Sequence, residues 1–481
     1  MLYSMKSSLI WTLALTGQLS AQAVKVGEIY STHCASCHGA TFEGGVGGSL
    51  VDGEWKHGGS DEEIYHSISK GNIPLGMVPW EDTLKPDQIR ALVIYLREQE
   101  SKNIVSNQQQ PTPSPNSVTK TQLENYSMET IVETGLKDPW AIAFLPDGSR
   151  LVTEKAGRLR IISATGKLDP EPIADTPPTI EHGQGGLMEV AIHPDFASNG
   201  WIYLGLSDGT RTGDDVRCIT AVVRGRIKDH RWIDQQWIFR PDPKFQSNSG
   251  VHFGTRFIFD QGYIYLVIGE RGGMMEVQDL SRPNGKIHRL YDDGRIPADN
   301  PFVNTKDAIP SIWSYGHRNP QGLAMDTRDG ALYSTEHGPR GGDELNLILP
   351  ARNYGWPIVT LGMNYDGTPM AYKGDDGETK FSVTAKQAID SPIAAWVPSI
   401  AVCGLDFYTG DLFPNWKNDL FVGALAQQEI RRLRIIDRKV VSQEIILKNV
   451  GRVRDVAMGP DGMIYIILNG PDWLVRLVPA E

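Results

Sequence analysis

The run Cys34-Ala-Ser-Cys37-His38 is the first place where residue types and spacing could do chemistry. Two thiols three positions apart, followed at once by an imidazole, form the attachment pattern of a c-type haem. Cys34 and Cys37 would supply thioether links, and His38 would ligate the iron on one side. Met77, in Met-Val-Pro-Trp, is the candidate sixth ligand, with His33, His57 and His66 as rivals. His/Met ligation raises the potential, which suits a group that accepts electrons. A Cys-x-x-Cys pair can also hold a metal or cycle as a disulfide; the adjacent His38 argues for haem.

A second concentration of chemistry runs from Ser311 to Trp356. Arg318, Asn319, Gln321, His337, Arg340, Asp343 and Glu344 crowd onto loops beside two short apolar strands. Binding groups sit on such loops because the sheet holds them rigidly. Gly338-Pro339 leaves two backbone carbonyls in a constrained turn, which suits a hard cation such as Ca²⁺. Farther on, Arg452-Val-Arg454 on a strand would present both guanidinium forks on one face, and such forks pair well with carboxylates. His252 and Glu270 add an imidazole titrating near neutrality and a carboxylate. Each has a plainer reading when taken singly: a polar hairpin rim, a solvated strand edge, a satisfied core histidine.

The order of segments removes much of that ambiguity. Gly316-His-Arg-Asn-Pro-Gln-Gly-Leu323, Glu336-His-Gly-Pro339, Asp343-Glu-Leu-Asn-Leu-Ile348 and Asn353-Tyr-Gly-Trp-Pro357 follow one another. The series resembles the soluble quinoprotein sugar dehydrogenases, the glucose/sorbosone dehydrogenase family, which uses pyrroloquinoline quinone (PQQ). The resemblance implies a pocket for that tricarboxylate, contacted by Arg318, Asn319, His337, Ser399, Arg452 and Arg454. It further implies Ca²⁺ on the Gly338 and Pro339 carbonyls, His252 as general base, Glu270 orienting it, and Gln184 touching the sugar. Three departures stand out. Ala426 occupies a position where the family often has a cofactor-contacting Lys, Val251 replaces an Asp that some members carry before the base, and His337 replaces a Gln.

Recurrent elements would have to position these groups. Six times from about Asn125 onward an apolar strand, an Asp/Gly or Asn-Gly turn and a second apolar strand recur, beginning near Ala141, Val190, Phe257, Leu323, Leu405 and Val456. Turns of this kind between β-formers signal hairpins, and their repetition predicts a six-bladed β-propeller over 125–481. The family resemblance implies the same fold. The chain is therefore read as mainly β, with a small all-α cytochrome c domain over 24–100 in front. There Val26, Ile29 and Tyr30 share a helical face, and Pro86 opens a helix with Ile89, Leu92, Val93 and Leu96 on one side. A Pro/Gln/Ser-rich stretch, 101–124, reads as a flexible linker. Residues 1–23, with Lys6, an apolar core from Leu9 to Leu15 and Ala21-Gln22-Ala23, read as an export signal, hence a periplasmic protein.

The bulk numbers agree. At 481 residues two domains are expected, and 40% hydrophobic with 22% charged residues is ordinary for a globular chain. A net charge of −11 argues against a nucleic-acid partner, which needs a basic surface. No stretch reaches membrane-spanning length. Of the four cysteines, Cys218 and Cys403 remain, able to pair or to sit buried. The expected activity is aldose oxidation, with electrons passing through PQQ and haem c to a downstream acceptor such as a periplasmic cytochrome, quinone or oxidase. Two rival readings are a haem electron carrier with a non-catalytic sugar-binding propeller, and a Ca²⁺-dependent propeller lactonase or other hydrolase.

Overall fold

The computed structural model describes residues 25–107, 111–114, 117–383 and 389–481, so the expected export signal lies outside the described residues. From Asn125 on, the chain forms the six blades that the hairpins predicted. Their first strands are Pro139–Phe144, Leu187–Ile192, Gly254–Asp260, Pro320–Asp326, Val402–Phe407 and Arg452–Met458, which open blades 1 to 6. In every blade the first strand pairs antiparallel with the second across the predicted turn, as in Asp260↔Tyr263 and Met458↔Ile464. First strands of neighbouring blades pack on one another around the ring, so they line its centre. Blade 6 is closed from both ends of this region: Asn125–Val132 pairs with the last strand, Trp473–Pro479, with Met128 opposite Leu477.

The core is built between blades. One apolar cluster joins Trp140, Leu151, Leu187, Val190, Leu204 and Phe253 across blades 1 and 2, and another joins Tyr126, Trp416, Val453 and Leu477 around the closing blade. Sheet faces that alternate apolar and polar must bury the apolar side, and radial stacking does so without leaving long free edges.

The N-terminal domain has helices α1 (Val26–His33), α2 (Ala35–His38), α3 (Asp61–Lys70) and α4 (Pro86–Asn107). Val26, Ile29 and Tyr30 are buried against Ile89, Leu92, Val93 and Leu96, as their spacing predicts. α3 was not anticipated. It starts at a capping box in which the Ser60 side chain accepts from the Glu63 amide and the Glu63 carboxylate accepts from the Ser60 amide.

The expected linker differs in two ways. α4 continues to Asn107, because Ser-Lys-Asn-Ile-Val-Ser-Asn holds no Pro or Gly that would stop a helix. Beyond it, the Pro111 carbonyl accepts from the Lys448 amide at 2.9 Å, and Thr119–Lys120 pairs with the strand that begins at Asn125. No helix among the described residues is long and apolar enough to cross a membrane.

Candidate functional site

Blade geometry gathers the site at one end of the central channel. Gln184, His252, Arg318, Asn319 and Ser399 each lie just before a first strand, and Arg452 begins one. Glu270 and His337 follow second strands, which run the opposite way and so end at the same mouth. At the other mouth a cavity of about 1050 Å³ is lined by the turn residues Asp260, Asp326, Asp329 and Asp406. It contains none of the predicted groups.

At the centre His252 Nδ1 is paired with Glu270 Oε1. Glu270 Oε2 accepts from the Met274 amide, and its own amide donates to the Arg318 carbonyl at 2.8 Å. This carboxylate orients the ring and fixes which nitrogen faces the pocket. Burial depresses the His252 pKa; the Glu270 hydrogen bond opposes that, and the charges of Arg318 and Arg271 add to the depression. The ring is therefore neutral at pH 7 and ready to accept a proton at Nε2. For Glu270 burial pulls upward, but the His252 bond and charge, the Met274 amide and Arg318 win, and its pKa falls.

The turn carrying His252 is strained and heavily braced. His252 has φ of 55°, unusual for a residue with a Cβ. The Gln184 side-chain oxygen accepts from the His252 amide at 2.8 Å. A Cβ on Gly183, at φ 57°, would collide with the Gly250 carbonyl, so the approach of these two loops needs glycine there. Arg271, which is buried, donates to the Val251 and Ser249 carbonyls and lies with its guanidinium 3.3 Å from the Phe253 ring centroid. It grips the chain on both sides of His252.

Around this dyad lie the cations. Arg318 Nη1 donates to the His337 and Gly338 carbonyls at 3.0 and 2.7 Å, while the Glu336 carboxylate accepts from the Arg318 amide and, at 3.0 Å, pairs with His317 Nδ1. Asn319 Oδ1 accepts from the Gly254 amide, and its side-chain nitrogen lies 3.4 Å from His337 Nδ1. Arg454 packs 4.0 Å from the Trp140 ring centroid and donates to Asn469. Among the described residues none of Arg318, Arg452 and Arg454 is ion-paired with a carboxylate. Arg318 Nε and His337 Nε2 are buried without a partner. Burial, with the charges of Arg318 and Arg454, pushes the His337 pKa down to about 3, so this ring is neutral too.

Two expected ligand roles look different in place. Arg452 is exposed, whereas Arg454, at a β-bulge between Val453 and Asp455, is drawn inward and donates to the Asn469 side chain opposite Arg452. The Ser399 hydroxyl accepts from the Gly341 and Gly342 amides and donates to the Pro339 carbonyl at 2.8 Å, so it braces the turn from behind. Asp343 does the same from below, accepting from the Gly338 and Val402 amides, and burial lifts its pKa to about 6. Cys218 and Cys403 are separate buried thiols, beside Arg271 and Arg454 respectively.

Sequence reasoning missed Arg271 and Glu336. It also missed Arg256, which ties the Glu189 and Asp455 carboxylates together across the channel and donates to the Arg454 carbonyl at 2.9 Å. Glu336 alone carried a signal, since it lies inside the quoted Glu-His-Gly-Pro run.

In the N-terminal domain Cys37 is exposed and Cys34 half-buried, its pKa pushed up to about 11 by burial and by the neighbouring Cys37. His38 Nδ1 is held 2.9 Å from the Gly48 carbonyl, which leaves Nε2 free to ligate iron. Met77 packs against the same core, whereas the His33 ring lies tilted against Trp80 with centroids 4.9 Å apart, and His57 and His66 lie at the surface. Val46 (94% exposed), Ile73, Leu75 and Val78 leave an apolar surface that a flat macrocycle could cover.

A family model described as glucose/sorbosone dehydrogenase matches residues 136–476. The chain belongs to that family. A second model, cytochrome c oxidase cbb3-type subunit III, matches residues 21–96. The aldose sugar dehydrogenase YliI of Escherichia coli (strain K12) is 42% identical over 342 residues, 70% of this chain and 88% of that protein. The apo crystal structure of the E. coli aldose sugar dehydrogenase superposes with a TM-score of 0.66 at 37% identity, covering 74% of this chain and all of that one. The PQQ-bound aldose sugar dehydrogenase of Streptomyces coelicolor gives 0.58 at 25% identity, covering 73% and 98%. The chain is thus a sugar dehydrogenase-like propeller joined to a cytochrome c domain, as the sequence analysis expected.

Proposed function

We propose that the protein is an exported, periplasmic PQQ-dependent dehydrogenase of aldose-type sugars that hands its electrons to its own haem c. The domains are read as 24–100 for the haem and 125–481 for the propeller. The observation that carries the proposal is the excess of unpaired guanidinium charge around a carboxylate-oriented imidazole. Arg318 Nε and His337 Nε2 lack partners in a buried pocket, and a tricarboxylate supplies both charge and acceptors. Ca²⁺ fits only together with such a ligand. The Gly338 and Pro339 carbonyls are hard donors, yet Gly338 already accepts from Arg318 and Pro339 from both the Ser399 hydroxyl and the Gly342 amide, and no group of three His, Cys, Asp or Glu among the described residues could hold a metal.

The residues divide the work. Arg318, Asn319, Arg454 and, at the rim, Arg452 hold the anionic ligand. His252 Nε2 takes the sugar hydroxyl proton while Glu270 stabilises the imidazolium that forms. Gln184 fixes the turn that aims the base and lies exposed at the mouth, where it can meet substrate. Bound there, PQQ would supply the two-electron acceptor for hydride. In the other domain Cys34 and Cys37 would anchor haem, with His38 and Met77 on its iron.

Reconstitution with PQQ and Ca²⁺, followed by dye reduction across a sugar panel, tests this reading. Aldose-dependent dye reduction is expected. Haem reduction by outside donors without sugar oxidation would favour an electron carrier, and ring opening of lactones without dye reduction would favour a hydrolase.

A further inference from the structure

The haem domain does not hang from the propeller on a free tether. The Glu98 carboxylate of α4, 4% exposed, accepts from Arg340 Nε and Nη2 at 2.7 and 2.6 Å, a two-pronged buried pairing. Met363, from the long insertion in blade 4, is 1% exposed and belongs to the same apolar cluster as Ile89, Leu92 and Ile94. The Val26 amide donates to the Gly367 carbonyl at 2.9 Å, and Ile94 sits over Gly341, where an added Cβ would lie 2.7 Å from its methyl. Arg340 and Met363 exchange both backbone hydrogen bonds, which ties the two propeller segments into one platform.

The same turn faces the candidate pocket on its other side. His337 and Gly338 give their carbonyls to Arg318, and Arg340, two residues beyond Gly338, holds the haem domain. We propose that Glu98–Arg340 is a docking clamp that fixes the haem domain on the pocket rim, so that electrons cross a fixed internal interface. This rests on the proposed function for the direction of electron flow; the docking itself does not. Each sugar oxidised releases two electrons and two protons, and the haem iron takes one electron per reduction, Fe(III) to Fe(II). An outside one-electron acceptor of the ferricyanide class must therefore empty the haem between the two transfers. Arg340 and Glu98 are positioning residues, since neither touches the reacting atoms.

Glu98→Arg in the full haem-loaded chain tests the clamp, with Glu98→Arg/Arg340→Glu as the restoring pair. Hydrogen exchange, which needs no loaded pocket, should rise more than tenfold at amides 340–342 and 363–367 in the single variant and return in the pair. With PQQ bound, first-order reduction of the haem by sugar should fall at least tenfold, while dye reduction at the pocket stays near wild type. Unchanged exchange in Glu98→Arg, with the haem spectrum intact, would overturn the docking clamp. Raised exchange with an undiminished haem reduction rate would overturn its electron-transfer role. Absence of any sugar-driven dye reduction in the wild type would instead defeat the proposed function and leave the exchange result to decide the clamp.

Discussion

The channel mouth and the haem crevice are finished to different degrees by the polypeptide. At the mouth, His252 is gripped by Glu270, Gln184 and Arg271, and each of those is held in turn by backbone. The crevice keeps Cys37 exposed, leaves Ile73, Leu75 and Val78 exposed on either side of Met77 in the chain, and fixes His38 by one side-chain bond. The propeller thus organises its pocket with its own side chains and backbone, which lowers the reorganisation needed during catalysis. On the proposed reading, the smaller domain would complete its core with the haem that Cys34 and Cys37 would hold. One site is braced and rich in positive charge; the other exposes apolar side chains at Ile73, Leu75 and Val78.

The largest expected effect separates the two directly. Cys37→Ser should reduce covalently bound haem from about one per chain to essentially none by pyridine haemochrome assay, while sugar-dependent dye reduction at the propeller persists. If dye reduction vanished as well, the pocket would not be independently organised. His252→Ala should lower kcat by roughly 10²–10⁴-fold, the usual loss for a general base, with an unchanged melting temperature. A loss of only a few-fold would move the base elsewhere. Arg318→Ala removes a charge-assisted contact worth about 1.5–3 kcal/mol, so PQQ affinity should weaken by roughly 10- to 150-fold in equilibrium titration. Unchanged affinity would refute the charge deficit as the reason for binding.

The smallest effect is the most diagnostic of bracing. His252 is depressed below its ordinary value, so it stays a free base above pH 6.5, and kcat/KM should be flat there and fall as pH drops through the lowered pKa. Arg271→Gln removes a positive charge that helps the depression. The inflection should move to higher pH, and turnover at neutral pH should fall several-fold through loosening of the turn. A pH profile that did not move would mean Arg271 only packs.

Much of this was legible because the decisive signals are local. The six hairpins announce themselves through Asp and Gly at their turns, and α1 and α4 through their apolar stripes. α3 was equally local: Ser60-x-x-Glu63 is a capping box, hidden because a glycine-rich loop lies just before it. The bracing charges were not legible. Arg256 meets Glu189 and Asp455 only when blades 2, 3 and 6 converge, and nothing near Arg256 in sequence foretells it. Arg271 pairs with carbonyls, which every residue has, so its partners leave no trace in composition. The different depths of Arg452 and Arg454 come from a bulge, a one-residue insertion that period-two reasoning cannot see. Within the expected linker, the continuation of α4 to Asn107 and the contacts of Pro111 and Thr119–Lys120 with the propeller were not legible, because composition reports the average tendency of a stretch and not its particular partners.

The closing blade has a consequence for the order of folding. Its strand Asn125–Val132 is made early, yet its partner Trp473–Pro479 is the last regular element of the chain. A ribosome or export channel delivering this polypeptide N-terminus first would release the haem domain whole while the ring still stood open. For the length of more than three hundred residues, Asn125–Val132 would wait with an unpaired edge, and edges of that kind recruit other chains. Shortening the C-terminus by one strand would prolong that wait indefinitely, so such a truncation should appear in cells as aggregate rather than as a weakened enzyme.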